Sequence, residues 1–159
     1  MPNGRESDCR GNEHETRNTK HETRDTAGDD ETGESPPDHR FRACEHLRRP
    51  ADFQRVYDRR RSVSDEQLIV YARDNDLPYN RLGLSVSRKF GGAVQRNRMR
   101  RLFREAYRLT KHDLPTGLDL VVIPRKREEP SLTSLLEAMP KLITQVAKKL
   151  AKDQQKEKP

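Results

Sequence analysis

The sequence has no tryptophan, four phenylalanines and four tyrosines, and only 30% of its 159 residues are hydrophobic. With 37% charged residues and a mean hydropathy of −1.17, a packed core has to come from a subset of the chain. No apolar run approaches the roughly twenty residues that span a bilayer, and the first residues lack the apolar core of a signal peptide. No membrane partner is therefore expected. The two cysteines, Cys9 and Cys44, sit in polar surroundings without a second pair, which argues against a disulfide framework or a zinc knuckle and for a cytoplasmic location. Catalytic side chains are also missing. Outside the N-terminal region, His46, His112, Asp113 and Asp119 fall in separate segments without ligand spacing, and His112-Asp113 reads as a surface turn before Leu114-Pro115. Gly91-Gly92 lacks the lysine and spacing of a P-loop. No catalytic and no metal-ligating residue is assigned.

What is present is charge, unevenly spread. The first forty residues carry a formal −5 and the other 119 carry +12, so the overall +7 conceals an acidic segment joined to a strongly basic one. A basic unit of this size points to a polyanionic partner, and with a membrane the weaker option that leaves nucleic acid. The acidic segment holds a near-repeat, HETRNTK at 14–20 and HETRDTA at 21–27, with no consistently apolar position. The expected organisation is a disordered acidic tail at 1–40, one folded domain at 41–151 and a disordered basic tail at 152–159.

Order is expected to begin near Phe41. After Pro50, Phe53, Val56 and Tyr57 share one face of a short helix that ends in Arg59, Arg60 and Arg61. Leu68–Ala72 reads as a strand, closed by the turn-like stretch 75–80. In the next strand, Arg81–Ser87, Leu82, Leu84 and Val86 alternate with Arg81, Gly83, Ser85 and Ser87. The second set is small or polar, which suits either plain solvent surface or a face that leaves space for a ligand. Leu118–Ile123 reads as a buried strand. Ser131 can cap a last helix whose apolar stripe runs from Leu132 to Leu150, with a kink expected at Pro140.

The helix expected from Arg96 to about Thr110 carries the functional signal. On a wheel of about 100° per residue, Met99, Leu102, Phe103, Ala106 and Leu109 gather on one side and Arg96, Arg100, Arg101, Arg104 and Arg108 on the other. Like charges at i,i+4 repel, and Glu105 is the only acid in the helix. A merely solvated face usually mixes signs, and lysine would serve solubility as well. Arginine's planar fork suits phosphate oxygens and stacking on bases, so the face reads as a nucleic-acid contact.

The stretch RLGLSVSRKFGGAVQRNRMRRLFREAYR at 81–108 closely resembles the signature of the bacterial ribonuclease P protein subunit, with Arg96-Asn97-Arg98 in the place of its RNR motif. The likeness extends through ADFQRVY at 51–57, LIVYA at 68–72 and LDLVVI at 118–123. It implies an α+β fold, a single small domain of order αβββαβα, with a short extra strand near Ser62–Ser64 and a left-handed β-α-β crossover, against the usual rule. It implies a protein that binds a catalytic RNA subunit and the 5′ leader of precursor tRNA and assists endonucleolytic removal of that leader. The chemistry, with Mg²⁺, would lie mainly with the RNA, and no protein partner is predicted. Contact with the RNA subunit is expected at Arg88, Lys89, Arg96, Asn97, Arg98, Arg100, Arg101, Arg104 and Arg108. Leader contact is expected at Phe53, Tyr57, Tyr71, Ser85 and Ser87, where an extended strand needs π faces to stack on and hydroxyl partners. Phe53 could equally serve the core. Two positions depart from the resemblance: Arg61 stands where a glycine is common, and Phe90 where a small aliphatic residue is usual.

Overall fold

Pro50 has no amide hydrogen to leave unpaired and its φ suits a helical first turn, so α1 starts on it and runs Pro50–Asp58. The chain then leaves the helix through Arg60, at φ 52, into β1 (Ser62–Ser64). Alternation of large apolar and other residues makes β2 (Leu68–Asp74) and β3 (Arg81–Leu84), followed by α2 (Ala93–Thr110), β4 (Leu118–Pro124) and α3 (Leu132–Glu157). This computed structural model describes residues 37–125 and 129–157, so the tail expected at 1–40 lies, up to residue 36, outside the described residues. The order αβββαβα is the one the resemblance implies, and β1 falls where it was expected.

The four strands form one mixed sheet in the order β1-β2-β4-β3. β1–β2 and β2–β4 are antiparallel, while β3 and β4, joined through α2, are parallel with Leu82 beside Leu120 and Leu84 beside Val122. One sheet face, with Leu68, Val70, Ala72, Leu82, Leu120 and Val122, packs on α2 and α3 in the main core. On the opposite face Val56 of α1, Leu47 and Val121 form a smaller buried cluster, flanked by half-buried Phe53, Tyr57, Tyr71 and Ile123. Period-two alternation thus separates a dry face from one only partly covered by a nine-residue helix.

Several expectations need correction. α2 begins at Ala93, not Arg96: Gly92 is its N-cap, and the Gln95 side chain accepts from the Gly92 amide at 2.9 Å. The glycine pair is therefore a helix start as well as a turn, Gly91 supplying a φ of 117 that L side chains rarely adopt. β3 ends at Leu84, although the Ser85 amide still donates to Val122 at 3.0 Å; Ser87 is exposed and leads into a 3₁₀ turn, Arg88–Phe90. Phe90 closes that turn and is buried in the main core. α3 does not stop near residue 151. It continues to Glu157, its last turns tied to the α1–β1 corner by Arg61 with Asp153, by Arg59 with Glu157 at 3.9 Å, and by Lys149 donating to the Ser62 carbonyl at 3.2 Å. Ser131 caps it as expected, accepting from the Ser134 amide at 3.1 Å. Cys44 is disulfide-bonded, where the sequence reading argues against a disulfide framework.

The turn after α1 is strained at Arg60 rather than at Arg61. A left-handed conformation costs an L residue roughly 1–2 kcal/mol, and glycine gives back roughly half of that relief as unfolded-chain entropy. Arg60 is exposed. Arg60→Gly is therefore expected to raise stability by about 0.5–1 kcal/mol in urea unfolding, and Arg60→Val to lower it.

Candidate nucleic-acid interface

Packing decides which arginines of α2 are free to act. Its buried residues are Met99, Phe103, Ala106, Tyr107 and Thr110, so the dry face is rotated by roughly 50° from the one expected, toward the arginines. Leu102 and Leu109 are only half-buried. Tyr107 accounts for the rotation: its ring is 1% exposed, edge-on to Phe41 at 5.4 Å, and its hydroxyl hydrogen-bonds the Asn80 side chain. Burial pushes that hydroxyl well above the ordinary phenol range. Thr110 satisfies its own hydroxyl by donating to the Ala106 carbonyl at 2.9 Å.

The rotation leaves Arg96 and Arg100 half-buried on the border of the dry face, and Asn97, Arg98, Arg101 and Arg104 exposed. Arg96 Nε is buried without a hydrogen-bond partner in the structure. Arg100 donates to Asn97 Oδ1 at 3.0 Å, which fixes both side chains along one flank. Arg98 pairs with Glu129 at 3.0 Å, an exposed contact of little energetic weight. Arg108 makes two bonds to Glu105, at 2.5 and 2.9 Å, and reaches the His39 carbonyl. The Glu105 carboxyl is held below its usual range by that guanidinium. Arg108 is thus committed within the protein, whereas Arg88, Arg101 and Arg104 have no carboxylate partner among the described residues. Lys89, beside Arg88 at the entry to α2, lies 5.7 Å from the Phe90 ring centroid.

The aromatic residues expected in the leader set do meet. Tyr57 and Tyr71 stand edge to face, 5.2 Å apart with planes at 86°, both half-buried. Phe53 shares their cluster and packs onto the sheet at Gly83. A Cβ on Gly83 would be 2.6 Å from Phe53 Cζ, so the glycine is where this ring seats. The space that small residues leave on this face is therefore filled by protein at Gly83; half-buried Ser85 and exposed Ser87 both lie beyond the end of the strand.

Two features were not expected from the sequence. Asp119, 0% exposed, accepts from Arg81 Nε at 2.7 Å, Arg81 Nη2 at 2.6 Å and Asn75 Nδ2 at 3.0 Å. Hydrogen bonding to Asp119 raises the pKa of Arg81 further, and Arg81 also lies 3.8 Å from Asp52 of α1. The pair is cross-strand in register and ties β3, β4 and α1 together. The second is a cavity of about 220 Å³ where the basic helix meets the aromatic face, lined among others by Phe41, His46, Arg48, Phe53, Arg100 and Arg104. The run His46-Leu47-Arg48-Arg49 before the first helix was its only sequence signal. No three His, Cys, Asp or Glu side chains converge as a metal site among the described residues, and no helix among them is long and apolar enough to cross a membrane.

A family model described as Ribonuclease P matches residues 41–147. The ribonuclease P protein component of Thermotoga maritima is 44% identical over 87 residues, covering 55% of this chain and 74% of that one. That of Oleidesulfovibrio alaskensis is 43% identical over 99 residues, covering 61% and 79%. Among solved structures, the ribonuclease P protein of Thermotoga maritima superposes with a TM-score of 0.59 at 37% identity, over 64% of this chain and 96% of that one. The Staphylococcus aureus protein gives 0.57 at 32%, over 65% and 95%. Match, identity and fold together place this chain in the ribonuclease P protein family.

Proposed function

We propose that this protein is the protein subunit of a ribonuclease P holoenzyme. It binds the catalytic RNA through the exposed flank of α2 and the 5′ leader of precursor tRNA across the α1–β2 face, and assists removal of the leader. The observation that carries this reading is that Arg100 and Arg104 of the basic flank line one cavity with Phe53, which shares its cluster with half-buried Tyr57 and Tyr71. Guanidinium groups suit the phosphates of a folded RNA, and exposed ring faces suit the bases of a single strand. Hydrolysis would be the work of the RNA with Mg²⁺ that it mainly holds; the protein supplies charge and positioning. Arg96, Asn97, Arg98, Arg100 and the Arg88-Lys89 entry extend the RNA contact. Arg108 can join only by giving up Glu105.

Reconstitution with a ribonuclease P RNA tests the reading. The full chain is expected to raise leader removal at low Mg²⁺, and no gain would leave a binding module without a part in cleavage. Within that complex, Arg104→Ala is expected to weaken RNA binding and to reduce the slope of log K against log[salt] by about 0.7–0.9, the change for one phosphate no longer neutralised. An unchanged slope removes Arg104 from the interface.

A further inference from the structure

The 220 Å³ cavity belongs to neither surface alone. It lies at the β3 edge of the sheet, where the segment before α1 runs beside that strand: His46 bridges to Leu82, and the Leu47 amide donates to the Leu82 carbonyl at 3.0 Å. Phe53 enters from α1, and Arg100 and Arg104 from α2. Its volume falls below the roughly 300–1,000 Å³ of pockets for drug-sized ligands, so the occupant is a small group. Among the described residues no carboxylate lines it, whereas three guanidinium-bearing side chains do. Of the acids adjacent in sequence to lining residues, Glu45 accepts from the Arg42 amide at 2.6 Å and from Lys111 at 3.0 Å, Glu105 is held by Arg108, and Asp52 faces Arg55 and Arg81.

We propose that this cavity is a phosphate subsite, taking one phosphodiester of an RNA strand on Arg48, Arg100 and Arg104, with His46 as a further donor when it carries a proton. The proposal rests on the RNA-binding reading above and adds two residues to it, His46 and Arg48. Three like charges around a small volume repel one another until an anion enters, and the forked guanidinium matches phosphate oxygens. RNA is favoured over a free anion because the lining is shared. Arg100 and Arg104 belong to the basic flank and Phe53 to the aromatic cluster, so a strand passing from one to the other crosses the opening.

The His46 ring is tilted against Phe41, centroids 3.9 Å apart, and one ring nitrogen bonds the Phe41 backbone. Burial, then Arg48 and Arg104, hold its pKa below the ordinary value, opposed by Glu45 and the Phe41 bond. Phe41, Leu47, Phe53, Leu82 and Leu84 contribute no titratable side chain. In the free protein His46 therefore resists protonation. A phosphate in the cavity reverses the local field and raises the pKa, so binding takes up a proton and tightens as pH falls.

The test uses the full chain in two arms: affinity for ribonuclease P RNA, and affinity of the reconstituted holoenzyme for precursor against mature tRNA. Arg48→Ala is expected to lower the salt slope by about 0.7–0.9 in one arm, and Arg48→Lys to restore it. His46→Gln is expected to flatten the rise in affinity that the same arm shows as pH falls between about 8 and 5. An effect on RNA-subunit binding assigns the phosphate to that RNA; an effect on precursor alone assigns it to the leader. Unchanged slopes and pH profiles in both arms, while Arg101→Ala still lowers the slope, overturn the subsite and leave the RNA-binding reading intact. If Arg101→Ala is equally silent, that reading falls as well.

Discussion

Replacing Arg81 by alanine is expected to cost about 3–5 kcal/mol of folding stability, the range for removing one partner of a buried ion pair. Asp119 has no exposed surface, and Arg81 supplies two of the three hydrogen bonds its carboxylate receives; Asn75 alone cannot replace them. For a domain of this size the loss amounts to a fall in Tm on the order of 10 °C or more. Removing both charges leaves no orphan, so Arg81→Ala combined with Asp119→Ala is expected to cost less than the sum of the single changes in a double-mutant cycle. Additive losses would show that the two side chains are not coupled. Function should suffer too, because Arg81 sits two residues from Gly83, the seat of Phe53, and also faces Asp52 of α1. Thermal unfolding by circular dichroism measures the first effect. Precursor affinity of the surviving folded protein measures the second.

The Arg81–Asp119 pair marks the boundary of what the sequence discloses. Elements with strong periodicity are legible: the Leu132–Leu150 stripe and the Leu68-Val70-Ala72 alternation place themselves, whereas the dry side of α2 lies roughly 50° from where the wheel puts it. β1 has too little pattern in Ser-Val-Ser to be found that way, and only the resemblance located it. Contacts between residues distant in sequence leave no local trace. Arg81 reads as one polar position of a strand and Asp119 as one more acid, until parallel pairing sets them side by side. The same holds for Tyr107, which the wheel places among the arginines but which Phe41 and Asn80 draw inward, and for Gly83, small because Phe53 packs on it and not because a ligand must. Of the proposed RNA contacts, the residue types on α2 were legible. Their engagement was not: that Glu105 occupies Arg108 follows from an i,i+3 spacing the sequence contains, but that Glu129 reaches Arg98 needs the fold.

The second large effect concerns recognition rather than stability. Tyr71→Ala is expected to weaken holoenzyme binding of precursor tRNA by about 1–3 kcal/mol, the cost of losing one base–aromatic stack, while mature tRNA is held as before. That corresponds to roughly a 5- to 150-fold rise in Kd for precursor alone. Tyr71 rather than Phe53 is the sharper probe because Phe53 is occupied with Gly83 and Leu47, so its removal would disturb the α1 seat as well as any ligand. Tyr71 leans edge-on to Tyr57 and belongs to the half-covered face, where an incoming base can reach the pair. Tyr71→Phe keeps the ring and is expected to retain most of the discrimination. Substitution of Tyr57 should then act non-additively with Tyr71→Ala, since each ring orients the other. An equal loss for precursor and mature tRNA would place Tyr71 outside the leader contact and shift the single-strand site elsewhere on the sheet.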